Sequence, residues 1–253
     1  MFERPIFDAH LHIIDQRFPM NPNQGYLPPS FTTADYLQEA AALHITGGAI
    51  VSGSFQGFDQ QYLLEALKVL GPRYVGVTQI PASATDDEII ALHNAGVRAV
   101  RFNVQRGGSE SVKYLEQLAL RVHDLVKWHV ELYIDSRQLP GISTTLHKLP
   151  KVVIDHLGLS RAGIKYLLPL VEKGAVIKAT GFSRCDFDVL PVMRQITAIN
   201  PAALIFGTDL PSTRAPKPFT VADLNIILRN FPDALAQKIS YDNAVALYQP
   251  QEH

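Results

Sequence analysis

Three histidines and one aspartate lie near the ends of short apolar segments. His10 and His12 are two residues apart in IFDAHLH, His156 lies in VVIDHLG, and Asp209 lies in LIFGTDLP. Imidazole and carboxylate groups can transfer protons, stabilise a developing oxyanion or bind a metal ion. If the segments are strands whose ends meet at one place, the four side chains predict a catalytic or metal-binding site.

Eight apolar segments rich in valine and isoleucine alternate with amphipathic segments. In DQQYLLEALKVL, for example, apolar residues recur with the i, i+3, i+4 spacing of a helix. Alternating strands and helices indicate βαβ units, so eight units predict an α/β fold, a closed (β/α)8 TIM barrel, with residues 1–253 as a single domain. A doubly wound open sheet is the alternative, but the glycine-rich phosphate loop that would follow its first strand is missing.

In such a barrel, alternate strand residues point inward and active sites lie at the carboxyl ends of the strands. Strict alternation along the first strand places Asp8, His10 and His12 together on the inward face. In the sixth strand it places His156 on the same face as Ile154. The predicted catalytic residues therefore share one mouth of the barrel.

Several other residues of the predicted strands receive structural roles. Lys178 and Glu131 face the interior, where an unpaired charge is costly, so Lys178 is expected to pair with Asp8, Glu131 or both. Asp155 is interpreted as an N-cap of the following helix. Gly207 indicates a close approach by a ligand or by another backbone.

Arginines follow two of the predicted strands. Arg101 ends the fourth, Arg106 lies in the next loop, and Arg184 follows the seventh. Arginine binds carboxylates through two parallel hydrogen bonds. Several arginines at one mouth of a protein with a formal net charge of −1 predict a small anionic substrate. The alternative is that each pairs with a local acid such as Asp186 or Glu110.

The composition excludes several other classes of protein. Lys and Arg number 23 against 24 Asp and Glu, so no general basic field would attract nucleic acid or an anionic membrane. The single cysteine excludes an intramolecular disulfide framework. Neither a signal peptide nor an apolar run of the roughly 20 residues that a membrane helix needs is present. A cytoplasmic protein is expected, and its oligomeric state is not predicted.

The segments DAHLHI, VRAVRFN, VVIDHLG and IFGTDLP resemble the amidohydrolase superfamily, in particular the branch that contains 2-pyrone-4,6-dicarboxylate lactonases and sugar lactonases. The resemblance covers nearly the whole chain. Arg214, in the loop after the eighth strand, is a further candidate that is not matched to the pattern of that branch, and it either adds a second anion contact or is a loop residue without a role in the site. The resemblance implies that five residues bind substrate carboxylates: Arg101, Arg106, Tyr133, Arg184 and Tyr26.

One departure from the superfamily concerns metal binding. Many members carry a metal-binding lysine on the fourth strand and a histidine on the fifth, where this chain has Arg101 and Tyr133. A guanidinium cannot bind a metal and a neutral phenol is a poor ligand, so a binuclear centre is not expected. The resemblance to the pyrone branch implies no cofactor. The alternative, from the sugar-lactone relatives, is one zinc held by His10, His12 and Asp209.

The predicted reaction is hydrolysis of a carboxylate-bearing lactone similar to 2-pyrone-4,6-dicarboxylate. Asp209 would act as the general base on a water molecule. His156, His10 and His12 would polarise the carbonyl and stabilise the oxyanion. The alternatives are a zinc-dependent sugar-acid lactonase, a decarboxylase, a lactone isomerase, and a barrel that only binds an anion.

Overall fold

A computed structural model describes residues 4–251, which form an eight-stranded parallel sheet whose strands follow chain order. The strands are β1 (Ile6–Leu11), β2 (Ile45–Val51), β3 (Tyr74–Thr78), β4 (Val97–Asn103), β5 (His129–Tyr133), β6 (Val152–Ile154), β7 (Val176–Ala179) and β8 (Leu204–Phe206).

Helices connect successive strands and cover the outside of the sheet. No helix within residues 4–251 is both long enough and apolar enough to cross a lipid bilayer. The helices are α1 (Thr33–Ala40), α2 (Gln61–Leu70), α3 (Asp86–Asn94), α4 (Leu115–Val126), α5 (Ser143–Leu146), α6 (Ile164–Glu172), α7 (Val189–Ile199), α8 (Val221–Asn230), α9 (Asp233–Gln237) and α10 (Asn243–Tyr248).

Backbone hydrogen bonds join the last strand to the first just beyond the end of β8. The Asp209 amide donates to the carbonyl of His10 at 2.7 Å, and the His12 amide donates to the carbonyl of Leu210 at 2.8 Å. Together with the chain-order pairing of the strands, these bonds close the sheet. The predicted (β/α)8 barrel is therefore confirmed, and the open-sheet alternative is wrong.

Two apolar layers lie on either side of the sheet. The outer layer packs the strands against the helices. The inner layer fills the barrel, and Tyr248 of α10 enters it from below, where its ring stacks on Phe7 at 5.7 Å between centroids. This end of the barrel is therefore packed, as expected for the amino-terminal end of the strands. The inner layer includes Phe7, Ala9, Val51, Val77, Ala99, Val153, Val176 and Ile205.

The predicted alternation along β1 is wrong for Asp8. The pairing with β2 shifts register between Asp8 and Leu11, so β1 uses three steps where β2 uses two. Because this bulge adds one residue to β1, the inward and outward alternation of side chains before the bulge is out of phase with the alternation after it. Phe7 and Ala9 face the interior, and the carboxylate of Asp8 instead accepts from the hydroxyl of Tyr36 on α1.

The alternation predicted for β6 also assigns the wrong residues to the inner face of the barrel. Ile154 packs in the outer layer and Val153 in the inner layer, so Asp155 points inward at the strand end. His156 does not continue the strand, because its φ of +51° turns the chain into a short 3₁₀ segment. It reaches the mouth through this turn, not through the alternation that predicted it.

Candidate active site

The four predicted catalytic side chains meet at the carboxyl end of the barrel. Nε2 of His10 and Nε2 of His12 lie 3.8 and 3.7 Å from Oδ1 of Asp209. The rings of His10 and His156 are 4.9 Å apart between centroids. All four residues are buried. The sequence therefore identified residues that the fold does bring together.

Arg184 lies directly against Asp209. Its Nε donates to Oδ2 at 2.8 Å, and its Nη2 lies 2.7 Å from the same oxygen. Burial raises the pKa of Asp209, but Arg184, followed by His156, outweighs burial and holds that pKa well below its usual range. Asp209 is therefore ionised at neutral pH. The local acid that pairs with Arg184 is Asp209 and not Asp186.

Backbone carbonyls fix the proton positions of two imidazoles. Nδ1 of His12 lies 2.7 Å from the carbonyl of Val51, and Nδ1 of His156 lies 3.3 Å from the carbonyl of Thr180. A carbonyl only accepts, so each Nδ1 carries a proton. Burial also lowers the pKa of His156 to about 4, so this imidazole is neutral at pH 7.

His10 has two buried neighbours at its other nitrogen. Nζ of Lys178 lies 3.4 Å from Nδ1, and Oδ1 of Asp155 lies 3.5 Å from it. Burial lowers the pKa of His10 well below its ordinary value. The ammonium group only donates and the carboxylate only accepts, so the two contacts favour opposite tautomers of the ring, and in both of them Nε2 is the nitrogen that faces Asp209.

A buried ionic network supports the site from below. Arg101 donates from Nε and Nη2 to Oδ2 of Asp155 at 3.1 and 2.8 Å, and Lys178 donates to Oε2 of Glu131 at 2.5 Å. The hydroxyl of Tyr248 donates to the other oxygen of Glu131. The predicted pairing of Lys178 with Glu131 is confirmed, and Asp8 takes no part in it.

Asp155 is a residue whose role the sequence analysis missed. It was interpreted as a helix cap, but its side chain makes no capping bond and contacts Arg101 and His10 instead. Strand alternation anchored on Val153 would have placed it inside the barrel. Because β6 has only three residues, its apolar pattern does not reveal which face is inner.

A pocket of about 400 Å³ opens above these residues. All five residues that the resemblance assigned to substrate binding line it, and so does Arg214, which the resemblance left unplaced. The guanidinium of Arg101 lies 5.4 Å from the ring centre of Tyr133, whose ring also contacts His156. The lining comprises His12, Tyr26, Gly53, Ser54, Phe55, Arg101, Asn103, Arg106, Tyr133, His156, Arg184, Asp209, Thr213 and Arg214.

Residues 13–32, which we call the lid segment, connect β1 to α1 and contribute Tyr26 to the pocket. Asn23 of this segment donates from Nδ2 to the carbonyl of Arg106 at 3.0 Å, and its Oδ1 accepts from Nη1 of Arg214 at 3.0 Å. The guanidinium of Arg214 also lies 4.3 Å from the ring centre of Tyr26. The lid segment is therefore tied to two other loops of the mouth.

The side chains of the site could hold a single metal ion. Ligand atoms of His10, His12 and Asp209 lie within 4.8 Å of one another, and the same is true of His10, Asp155 and His156. Nε2 of His10 and Oδ1 of Asp209 are buried without a hydrogen-bond partner among the described residues. Two imidazoles and a carboxylate suit zinc, so the first set fits one ion.

Comparisons with known proteins agree with this architecture. The chain is 28% identical to a 2-pyrone-4,6-dicarboxylate hydrolase of Comamonas testosteroni, over 97% of this chain and 90% of that protein. It is 29% identical to a 4-sulfomuconolactone hydrolase of Rhizobium radiobacter, over 96% and 89% of the two chains. A solved structure of a probable 2-pyrone-4,6-dicarboxylic acid hydrolase of Acinetobacter baumannii, with citric acid bound, superimposes with a TM-score of 0.82, 23% identity and coverage of 96% and 99%.

The family model described as amidohydrolase matches residues 7–249, which include every residue of the site described above and all of the strand residues except Ile6. The match extends over nearly the whole chain, and the resemblance inferred from four sequence segments is confirmed. The protein belongs to the amidohydrolase family.

Proposed function

We propose that the protein hydrolyses a lactone that carries carboxylate groups, similar to 2-pyrone-4,6-dicarboxylate. The observation that carries the proposal is the ionised Asp209 at the floor of a pocket lined by four arginines. An ester needs an activated water, and an anionic substrate needs cationic groups that hold it. The curated relatives from Comamonas and Rhizobium are both named as hydrolases, of a pyrone dicarboxylate and of a sulfomuconolactone.

In the proposed reaction, Asp209 accepts a proton from a water molecule that attacks the lactone carbonyl. The ring C–O bond of the resulting tetrahedral intermediate then breaks, and the proton on Asp209 passes to the leaving ring oxygen. Nε2 of His12 lies 3.7 Å from Oδ1 of Asp209, so this ring can orient the same water. In the tautomer with its proton on Nε2, His10 would stabilise the oxyanion together with the guanidinium of Arg184. The neutral ring of His156 forms the wall between His10 and Tyr133.

The other arginines and tyrosines of the pocket would position the substrate. Arg101 and Arg106 would bind carboxylate oxygens, with Tyr26 and Tyr133 as hydrogen-bond donors. These residues contribute binding energy and orientation and take no part in proton transfer.

We propose that the reaction needs no metal. Inside the barrel, the charged side chains at and below the site form three ion pairs, with the cations Lys178, Arg101 and Arg184 against the anions Glu131, Asp155 and Asp209. A divalent ion would bring two further positive charges into this neutral group, which is costly in a buried site.

The alternative is a single zinc ion, for which the donor set is suitable. His10, His12 and Asp209 would hold it. When bound, such an ion would polarise the carbonyl and lower the pKa of a bound water.

The test is the ultraviolet absorbance of 2-pyrone-4,6-dicarboxylate mixed with purified, chelator-treated enzyme. Rapid loss of the chromophore, with the opened acid as the product in NMR, is the expected result. Unchanged absorbance would overturn the assignment of a pyrone substrate. Release of carbon dioxide would favour a decarboxylase, and a rearranged ring without an opened product would favour a lactone isomerase.

A further inference from the structure

Charge compensation divides the four arginines of the pocket into two pairs. Arg101 and Arg184 each lie against a buried aspartate. Arg106 and Arg214 line the same pocket, and neither forms a salt bridge with any residue in the range 4–251. Two cations without an acid between them repel each other, so an anion from outside the chain would stabilise the arrangement.

The guanidinium of Arg214 is held in place by the lid segment. Nη1 and Nη2 donate to Oδ1 and to the backbone carbonyl of Asn23, and the group lies over the ring of Tyr26. A guanidinium has five N–H groups, and the remaining three have no partner among the described residues. Arg214 therefore combines a fixed position with free donors.

Asn23 also brings Arg106 to this place. Its Nδ2 donates to the backbone carbonyl of Arg106, so a single side chain connects the loops that carry both arginines. Burial, followed by the positive charge of Arg106, lowers the pKa of Arg214 from its usual value. Since both arginines also line the same pocket, both can contact one ligand there.

The charge balance of the pocket indicates what this ligand carries. The floor is neutral, as described above, so the uncompensated charge of the pocket is the two positive charges of Arg106 and Arg214. A substrate with two anionic groups would neutralise that charge, whereas a substrate with one would leave a cation unpaired.

We propose that Arg214 is a specificity-determining residue that, beside Arg106, binds a second anionic group of the substrate, a carboxylate or a sulfonate, away from the scissile ester. Its bonds to Asn23 also hold the lid segment over the pocket. The inference rests on the proposed function for the nature of the substrate, but a binding measurement tests it separately.

The first experiment measures binding without turnover, by calorimetric titration of the full chain with isophthalate, 3-sulfobenzoate and benzoate. These ligands have no ester bond and carry two, two and one anionic groups. The wild type should bind both dianions at least tenfold more tightly than benzoate. The ratio of the two dianions distinguishes a carboxylate from a sulfonate. A wild type without preference for a dianion would overturn the inference, whether or not the protein hydrolyses a lactone.

Three variants separate anion binding from the holding of the lid segment. Arg214→Met should reduce the preference for isophthalate over benzoate about tenfold or more, as expected for loss of a charged hydrogen bond. Arg214→Lys should restore part of it. Asn23→Ala leaves the guanidinium of Arg214 present and should weaken the binding of isophthalate and of benzoate by a similar factor.

The same variants can be compared in turnover of 2-pyrone-4,6-dicarboxylate and 2-pyrone-6-carboxylate. Arg214→Met should raise KM for the dicarboxylate about tenfold or more, with a smaller effect on kcat and on the monocarboxylate. Arg229→Met, on the exposed end of α8, is the control and should match the wild type. Equal losses on both substrates in Arg214→Met would show that Arg214 only holds the lid segment and would overturn its role in specificity.

Discussion

Arg184 and Asp209 form a buried ion pair in which Nε and Nη2 of the guanidinium both lie within 2.8 Å of one carboxylate oxygen, Oδ2. The other oxygen, Oδ1, has no hydrogen-bond partner among the described residues and faces His10 and His12. The two oxygens of the Asp209 carboxylate therefore have different roles. Oδ2 keeps the group ionised, and Oδ1 is available to a water or substrate atom.

Asp209→Asn should therefore lower kcat about 10²- to 10⁴-fold, the range typical for loss of a general base. The amide cannot accept a proton from water. Steady-state turnover of the pyrone measures the effect, and circular dichroism checks the fold. Asp124→Asn, whose side chain is 83% exposed, is the control and should keep wild-type turnover. Near-normal activity of Asp209→Asn would contradict the proposed base.

His156 makes the stability of the protein sensitive to acid. Its folded-state pKa of about 4 is below the ordinary value of 6.5, so the unfolded chain takes up the proton first as the pH falls. The contribution of His156 is complete above pH 6.5 and declines until about pH 4, by about 3 kcal/mol in all.

Urea unfolding at pH 7 and pH 5 measures this dependence. Wild type should lose about 2 kcal/mol more than His156→Gln between the two pH values. His147→Gln, at an exposed position, should lose as much as wild type. The same loss in wild type and in His156→Gln would show that His156 does not carry the effect.

Replacing only Lys178 in its ion pair with Glu131 should lower the free energy of unfolding more than replacing both residues. Lys178→Met leaves the carboxylate of Glu131 buried without its main partner, which typically costs about 3–5 kcal/mol. The double variant Lys178→Met/Glu131→Gln leaves no unpaired charge at either position and should be less destabilised than the single variant. Free energies of unfolding in urea provide the comparison, and a double variant that is the less stable of the two would count against this account.

Gly207 is expected to be essential for the position of His10. A Cβ at residue 207 would lie 2.6 Å from the backbone nitrogen of His10 and 2.7 Å from its Cβ, so Gly207→Ala must push β1 away from β8. We expect a loss of about 1–3 kcal/mol of stability and a marked loss of kcat. Gly141→Ala is the matched control, because no atom lies within 4 Å of its added methyl group. Wild-type kcat in Gly207→Ala would show that this close approach does not matter.

Removal of metal should leave the activity unchanged. Enzyme dialysed against a chelator, with its metal content measured by mass spectrometry, is expected to retain the kcat of untreated enzyme. Loss of activity that returns with one equivalent of zinc would contradict the metal-free proposal and support the alternative site at His10, His12 and Asp209.

The sequence by itself determined the barrel and the identity of the polar residues at its mouth. Eight apolar segments separated by amphipathic ones admit few packings, since each helix must cover the strand pair that it connects. Parallel strands then gather their carboxyl ends, so the sequence alone assigns His10, His12, His156 and Asp209 to one site.

The tertiary structure decided which partner each of these residues has. The bulge in β1 sends Asp8 to the outer layer, and the three-residue β6 turns Asp155 inward. Neither is visible in the sequence, because a single inserted residue reverses every later side chain without changing the apolar pattern. The pairing of Arg184 with Asp209, and of Arg214 with Asn23, joins residues far apart in the chain. Such contacts depend on how loops from different strands meet, which local spacing does not encode.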